Sequence, residues 1–410
     1  MNQISIAQSF VLKNKNIIFK NRIVKSAMSE GLASKRHLPT INLFRLYEEW
    51  AKGGAGLIIT GNVMVDDKAL GEPRNIVLEN DKNLELFKKW AEAGTKNSTH
   101  LWMQINHPGK QVLKGVVKEA LAPSAIPFDS ELQRFFPMCR ALSHKEIKEI
   151  IQRFAKTAKL AKLAGFTGVQ IHAAHGYLIS QFLSPRHNQR EDEWGGTVEN
   201  RFRFLLEIYR SIRSEVGQGF PIGVKINSSD FMKAGFSEEE SQFVISELDG
   251  LGIDLIEISG GTYERPELFG KNVKPSTAKR EAYFLDYAEK LKQKTAVPLV
   301  LTGGFRTRSA MDEALKTGAT DFIGLARPMA LYPDYANKLL FKKVSELSIK
   351  PIKTGLSFID DIGLMELTWY SQQLERIGKG KSTKPHFSPL LSLFLTLFKN
   401  GRDTFQKRRV

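Results

Sequence analysis

The sequence predicts an α/β protein, a (β/α)8 TIM barrel with a basic, partly apolar C-terminal extension, within a chain of 410 residues. Three observations carry that prediction. Short apolar, β-branched runs alternate with amphipathic helical stretches often enough to close eight parallel strands into a barrel. Polar residues and glycines gather at the carboxyl ends of those runs, where a purely structural barrel needs only turns. No Gly-x-Gly-x-x-Gly opens a helix, as a doubly wound dinucleotide-binding sheet would require.

The first strand is expected at 22–26 around Ile23-Val24, with a helix at 42–52; the second at 56–62 around Leu57-Ile-Ile59, with a helix at 82–96. The third strand, 100–106, is followed by a helix at 145–164, and the fourth, 168–173, by one at 199–216. Strand 221–227 precedes helix 238–251, which the capping box Ser237-Glu-Glu-Glu240 opens. Strands 255–259, 297–302 and 321–325 complete the set, with helices at 284–294 and 307–317 between them. The barrel is assigned to residues 1–340 and the extension to 341–410.

A hydrophobic content of 42% with 25% charged residues is that of a globular domain, and no apolar run reaches the roughly eighteen residues that span a bilayer. Met1-Asn-Gln-Ile-Ser-Ile lacks the charged start and apolar core of a signal peptide, so a cytoplasmic location is expected. The single cysteine, Cys139, permits no internal disulfide and excludes an iron-sulfur centre. The net charge of +16 raises the question of nucleic acid, but residues 379–410 hold eight lysines and arginines against one aspartate, a net of +7. With charge concentrated in a tail, nucleic acid is not expected. The apolar stretch Phe387 to Phe398 inside that tail is too short to span; it suits packing on the barrel, a contact in a homo-oligomer, or docking at a membrane surface.

Catalytic groups of such a barrel belong at the carboxyl ends of its strands. Ser26-Ala27-Met28-Ser29 follows the first, Asn62 ends the second, Gln104 lies in the third, and His172 to Tyr177 closes the fourth. Lys225 lies toward the end of the fifth, Gly303-Gly304 follows the seventh, and Ala326-Arg327 the eighth. His172, His175 and Tyr177 put two imidazoles and a phenol within six residues, so hydrogen-bond donors and a proton source converge on one bound molecule. Metal binding is not expected, because no third ligand stands nearby at suitable spacing. Glycines after strand seven, with the Arg327 guanidinium after strand eight, point to a phosphate-bearing ligand. Lys225 on a phosphate-binding barrel also leaves open a Schiff-base lyase or aldolase.

The blocks Asn21-Arg22-Ile-Val-Lys-Ser26-Ala-Met-Ser29, Gln104-Ile-Asn-His-Pro-Gly-Lys110, His172-Ala-Ala-His-Gly-Tyr-Leu-Ile-Ser-Gln-Phe-Leu-Ser-Pro185, Asp192-Glu-Trp-Gly-Gly-Thr-Val-Glu-Asn-Arg-Phe-Arg203 and Thr302-Gly-Gly-Phe305 together resemble the Old Yellow Enzyme family. The resemblance covers about residues 2–340. It implies an FMN-containing barrel that takes hydride from NADH or NADPH and reduces the C=C bond of α,β-unsaturated carbonyl compounds, both reactants using one site in ping-pong fashion. Ser26, Ala27, Met28 and Ser29 would line the flavin, with Ser29 near its C4 oxygen, where relatives more often carry threonine or cysteine. Asn62 would adjoin it, Gln104 would bond its pyrimidine edge, and Lys225, where many relatives have arginine, would face N1 and the C2 oxygen. Gly303, Gly304, Ala326 and Arg327 would hold the phosphate. His172 and His175 would bond the substrate carbonyl, and Tyr177 would protonate the α carbon. Loops 108–136 and 262–279 are expected to shape the substrate pocket, and the Trp369-Tyr370 pair to pack on the barrel or a neighbouring subunit. A non-catalytic, membrane-docked flavoprotein is the remaining alternative.

Overall fold

The computed structural model describes residues 4–262, 264, 281–347, 349, 351–355 and 364–405. Eight parallel strands, β1 (Ile23–Lys25), β2 (Leu57–Ile59), β3 (His100–Asn106), β4 (Gly168–Ala173), β5 (Ile222–Asn227), β6 (Leu255–Ser259), β7 (Leu299–Thr302) and β8 (Phe322–Leu325), pair in sequence order. β8 pairs in turn with β1, setting Ile323 against Ile23, so the eight strands close on themselves. All eight expected strands are present; β2 is shorter than expected because the Thr60 hydroxyl donates to the Gly61 carbonyl and accepts the Gln104 N–H, ending the regular ladder.

The longer helices outside the barrel are α1 (Ile41–Lys52), α2 (Leu84–Gly94), α3 (His144–Leu163), α4 (Val198–Val216), α5 (Glu238–Gly250), α6 (Leu285–Lys292), α7 (Arg308–Lys316), α8 (Leu364–Gly378) and α9 (Pro389–Phe405). Hydroxyl caps start most of them. Thr40, Ser143, Thr197, Ser237 and Thr307 each accept the backbone N–H three residues on, and Ser143 and Ser237 form full capping boxes with Glu146 and Glu240.

Apolar residues close the amino end of the barrel. A hairpin of Phe10–Leu12 and Ile17–Phe19 lies beneath it, with Phe10 4.7 Å and Phe19 5.2 Å from the Phe322 ring. Trp102 fills the interior above. Gly168 and Gly223 make its room, since a Cβ at either would stand 2.6 or 2.9 Å from the indole. With that end plugged, the carboxyl end is left for polar chemistry.

α8 comes from the segment assigned to the extension. It packs along α1, where a Cβ on Gly378 would lie 2.5 Å from the Asn42 carbonyl, and Trp369, Tyr370, Leu374 and Ile377 join the same hydrophobic core as the barrel helices. Among the described residues no helix is long and apolar enough to cross a membrane.

Candidate active site

At the carboxyl end of the strands a cavity of about 400 Å3 opens, within the range of small-molecule sites. Ala27, Met28, Ser29, Asn62, Gln104, His172, His175, Tyr177, Lys225, Gly303, Gly304, Ala326 and Arg327 all line it. Ser26 lies one layer below, its hydroxyl 2.9 Å from that of Thr302. None of the described residues between Pro108 and Phe136 lines the cavity; Lys110 holds that loop aside by donating to the Ile126 and Pro127 carbonyls. Of the 262–279 loop only Thr262 and Glu264 are among the described residues, and Thr262 is in the wall.

Beneath the cavity runs a buried hydrogen-bond chain. Glu257, at the centre of β6, accepts Thr302 Oγ1 and Gln170 Nε2 at 2.8 Å each and pairs with Lys225 Nζ at 3.1 Å. Burial by itself raises the Glu257 carboxyl, but the Lys225 ammonium and these hydrogen bonds outweigh it and bring the group below its ordinary range. Since the single proton of Thr302 goes to Glu257, the Ser26 hydroxyl must donate to Thr302. On the other side Gln104 donates to Gln170 Oε1 at 2.7 Å, which fixes its amide and leaves its own oxygen as an acceptor. The floor thus presents an ordered row: amide acceptor, ammonium, glycine backbone.

The wall above is aromatic. His172 and Tyr177 meet edge to face with ring centroids 4.8 Å apart, and His172 and His175 at 5.3 Å. His172 Nδ1 accepts the Ala174 N–H at 3.3 Å, so the neutral ring carries its proton on Nε2. His175 sits at φ 61°, a left-handed conformation that the Asn227 side chain steadies by accepting its N–H at 3.2 Å. Its Nε2 lies 2.8 Å from Ser259 Oγ. Burial drives both imidazoles well below their ordinary pKa, and the charge of Lys225 adds to it, so both rings are neutral donors at pH 7. Asn62 Nδ2 donates to the Tyr177 hydroxyl at 3.4 Å.

At the far end the wall narrows to backbone. Gly303 and Gly304 have φ of 116° and 89°, and a Cβ on Gly304 would stand 1.9 Å from the Glu281 carbonyl. Only glycine fits there. Arg327 stands beside it, with Glu366 of α8 as a distant counter-ion at 3.8 Å.

Several cavity groups are beyond the strand-end motifs. Glu72, from the loop after β2, accepts the Ser29 hydroxyl, and its carboxyl is raised, first by burial and then by Glu30 nearby. Tyr370 of α8 lines the cavity while Trp369 beside it packs inward and donates to the Phe387 carbonyl at 3.0 Å. The tail aromatics therefore divide between core and site. Glu257 and Gln170 had a readable signal, each being polar in a strand buried on both faces.

A closed barrel with paired neutral imidazoles, a phenol, a buried cation and an anion-sized glycine cradle in one cavity defines a binder of an elongated, anion-ended redox or carbonyl ligand. Comparison narrows that class. The NADH:flavin oxidoreductase / NADH oxidase family matches residues 10–344, and the chain belongs to it. It is 39% identical over 343 residues to the NADH-dependent flavin oxidoreductase iliE of Hypocrea jecorina, covering 78% of this chain and 85% of that protein. An Old Yellow Enzyme homologue from Zymomonas mobilis superposes with a TM-score of 0.72 at 27% identity, over 85% of this chain and 95% of that one. A 2-naphthoyl-CoA reductase gives 0.78 at 25% identity over 90% of this chain, which spans only 58% of that larger protein. The chain is accordingly an Old Yellow Enzyme-like, FMN- and NADH-dependent oxidoreductase.

The residues present fit FMN. The Gly303-Gly304 backbone beside Arg327 suits its phosphate, and the Gln104 and Lys225 edge suits the acceptors and N–H of its pyrimidine ring.

Proposed function

We propose that the enzyme reduces the C=C bond of α,β-unsaturated carbonyl compounds, with NADH or NADPH and the substrate using the same cavity in turn. The observation that carries this reading is the contact of His172 with both His175 and Tyr177 over a cavity floored by Lys225. FMN, when bound, supplies hydride from N5 to the β carbon. The chain supplies the rest. His172 donates through Nε2 to the carbonyl oxygen, with His175 beside it, so that electron density leaves the β carbon and gathers on oxygen. Because both rings are neutral, they stabilise that charge by donation without surrendering a proton. Tyr177 delivers its phenolic proton to the α carbon, completing net addition of H− and H+ across the double bond. Lys225, held by Glu257, keeps a positive charge beneath the cavity and Arg327 one at its far end.

The Schiff-base alternative needs Lys225 free to attack a carbonyl; its Nζ is engaged by Glu257 at 3.1 Å, an arrangement that holds a charge in place. Stopped-flow of the separate half-reactions tests the proposal. Tyr177→Phe is expected to slow reoxidation by cyclohexenone by roughly 10²–10⁴ while NADH still bleaches the yellow enzyme at close to the wild-type rate. Equal losses in both halves would refute the proton-donor role.

A further inference from the structure

We infer that α9 docks the enzyme on an anionic lipid surface. The helix leaves more apolar surface outside than it buries against the core. The side packed on the protein sets Leu393 against the core beside two hydroxyl residues: Ser392 is fully buried, and Gln372 of α8 donates to the Ser392 carbonyl at 3.0 Å and to Thr396 Oγ1 at 2.9 Å. Apolar groups occupy the other side. Leu390, Leu391, Phe394 and Leu395 recur at i, i+1, i+4 and i+5, one stripe of an α-helix, and are 52, 48, 65 and 45% exposed. One leucine and a few polar atoms thus anchor the helix while four large apolar side chains face outward, an exposed patch that burial elsewhere would stabilise.

Charge decides what covers that stripe. Residues 379–410 hold Lys379, Lys381, Lys384, Lys399, Arg402, Lys407, Arg408 and Arg409 against Asp403, a net of +7. A second copy of the chain would set the same patch against itself, bringing two such clusters together in a symmetric interface. An anionic bilayer meets both features: acyl chains take the apolar stripe, and headgroups attract the basic residues. The helix is too short and too charged to cross, so it lies in the interface plane.

Flotation of the full-length, FMN-loaded enzyme with phosphatidylglycerol/phosphatidylcholine vesicles tests this. Low-salt co-flotation with the anionic vesicles is expected, with at least about a tenfold loss in pure phosphatidylcholine or in half-molar salt. The triple change Leu391→Ser, Phe394→Ser and Leu395→Ser should abolish flotation, and Lys381→Glu with Lys384→Glu, both exposed beside α9 in the chain, should weaken it at least about tenfold. Both variants should keep the flavin spectrum and NADH oxidation of the parent, which shows that the barrel is intact. Absence of low-salt flotation, equal flotation with both vesicles, or a dimer in light scattering that the serine variant dissolves while no vesicle binds would each overturn the inference.

Discussion

Glu257 carries the electrostatics of the floor, because it is the counter-charge buried against Lys225 and also the acceptor on which Gln170 and Thr302 converge. Glu257→Gln removes the negative charge while keeping an acceptor. It is expected to move the flavin midpoint potential upward, since an uncompensated Lys225 favours added negative charge, and spectroelectrochemistry would read the shift; an unchanged potential would separate Glu257 from redox tuning. Glu257→Ala strands a buried ammonium and should cost about 3–5 kcal/mol in urea unfolding. His172→Ala is expected to lower kcat/KM for an enone by roughly 10²–10³, the loss of one donor to a developing oxyanion. The groups that touch the cavity were legible because they sit at strand ends, where a polar residue has no packing reason to be. Glu257 and Gln170 lie a layer deeper, and Glu72 arrives on a loop; which of them lies under Lys225 or beside Ser29 follows from barrel closure and loop path, neither of which is written locally.

Among the elements, α8 shows what pattern reading leaves out. Strand runs and capped helices announce themselves through local chemistry, and the seven helices between strands lie within a few residues of their expected positions. Trp369, Gln373 and Ile377 also recur at helical spacing, yet nothing near them says that this helix returns to pack on α1 and to set Tyr370 in the cavity. Trp369→Ala should cost about 3–5 kcal/mol of stability, read as a lower Tm, because its indole is almost completely buried in the shared core. Gly324→Ala in β8 is a sharper probe of the floor. Its Cβ would fall 1.9 Å from Thr302 Oγ1, so the Thr302–Glu257 bond must give, and weakened FMN retention on gel filtration is expected. Full retention at wild-type stability would show that the floor is more yielding than its packing implies.

For the molecule as a whole, buried imidazoles set the response to acid. Burial is the leading cause in each: it holds His172 and His175 well below their ordinary pKa, His107 at about 4 and His187 at about 3. Above about pH 6.5 all are neutral whether the chain is folded or not, and they add no pH dependence. Below it the unfolded chain binds protons that the folded one refuses, so stability falls with pH until the folded values are reached. By pH 5 His107 and His187 should each have cost about 2 kcal/mol, visible as a Tm that declines between pH 6.5 and 5; a flat profile over that interval would contradict their burial. The wall contributed by Tyr370 has a consequence for biosynthesis. A nascent chain emerging from the ribosome completes all eight strands, the imidazoles and the glycine cradle well before α8 exists, so the pouch stays open along one flank until that helix docks. A barrel whose α8 has not yet docked is therefore expected to hold the cofactor less tightly than one with the wall in place, which flavin release from a chain cut before Leu364 would read.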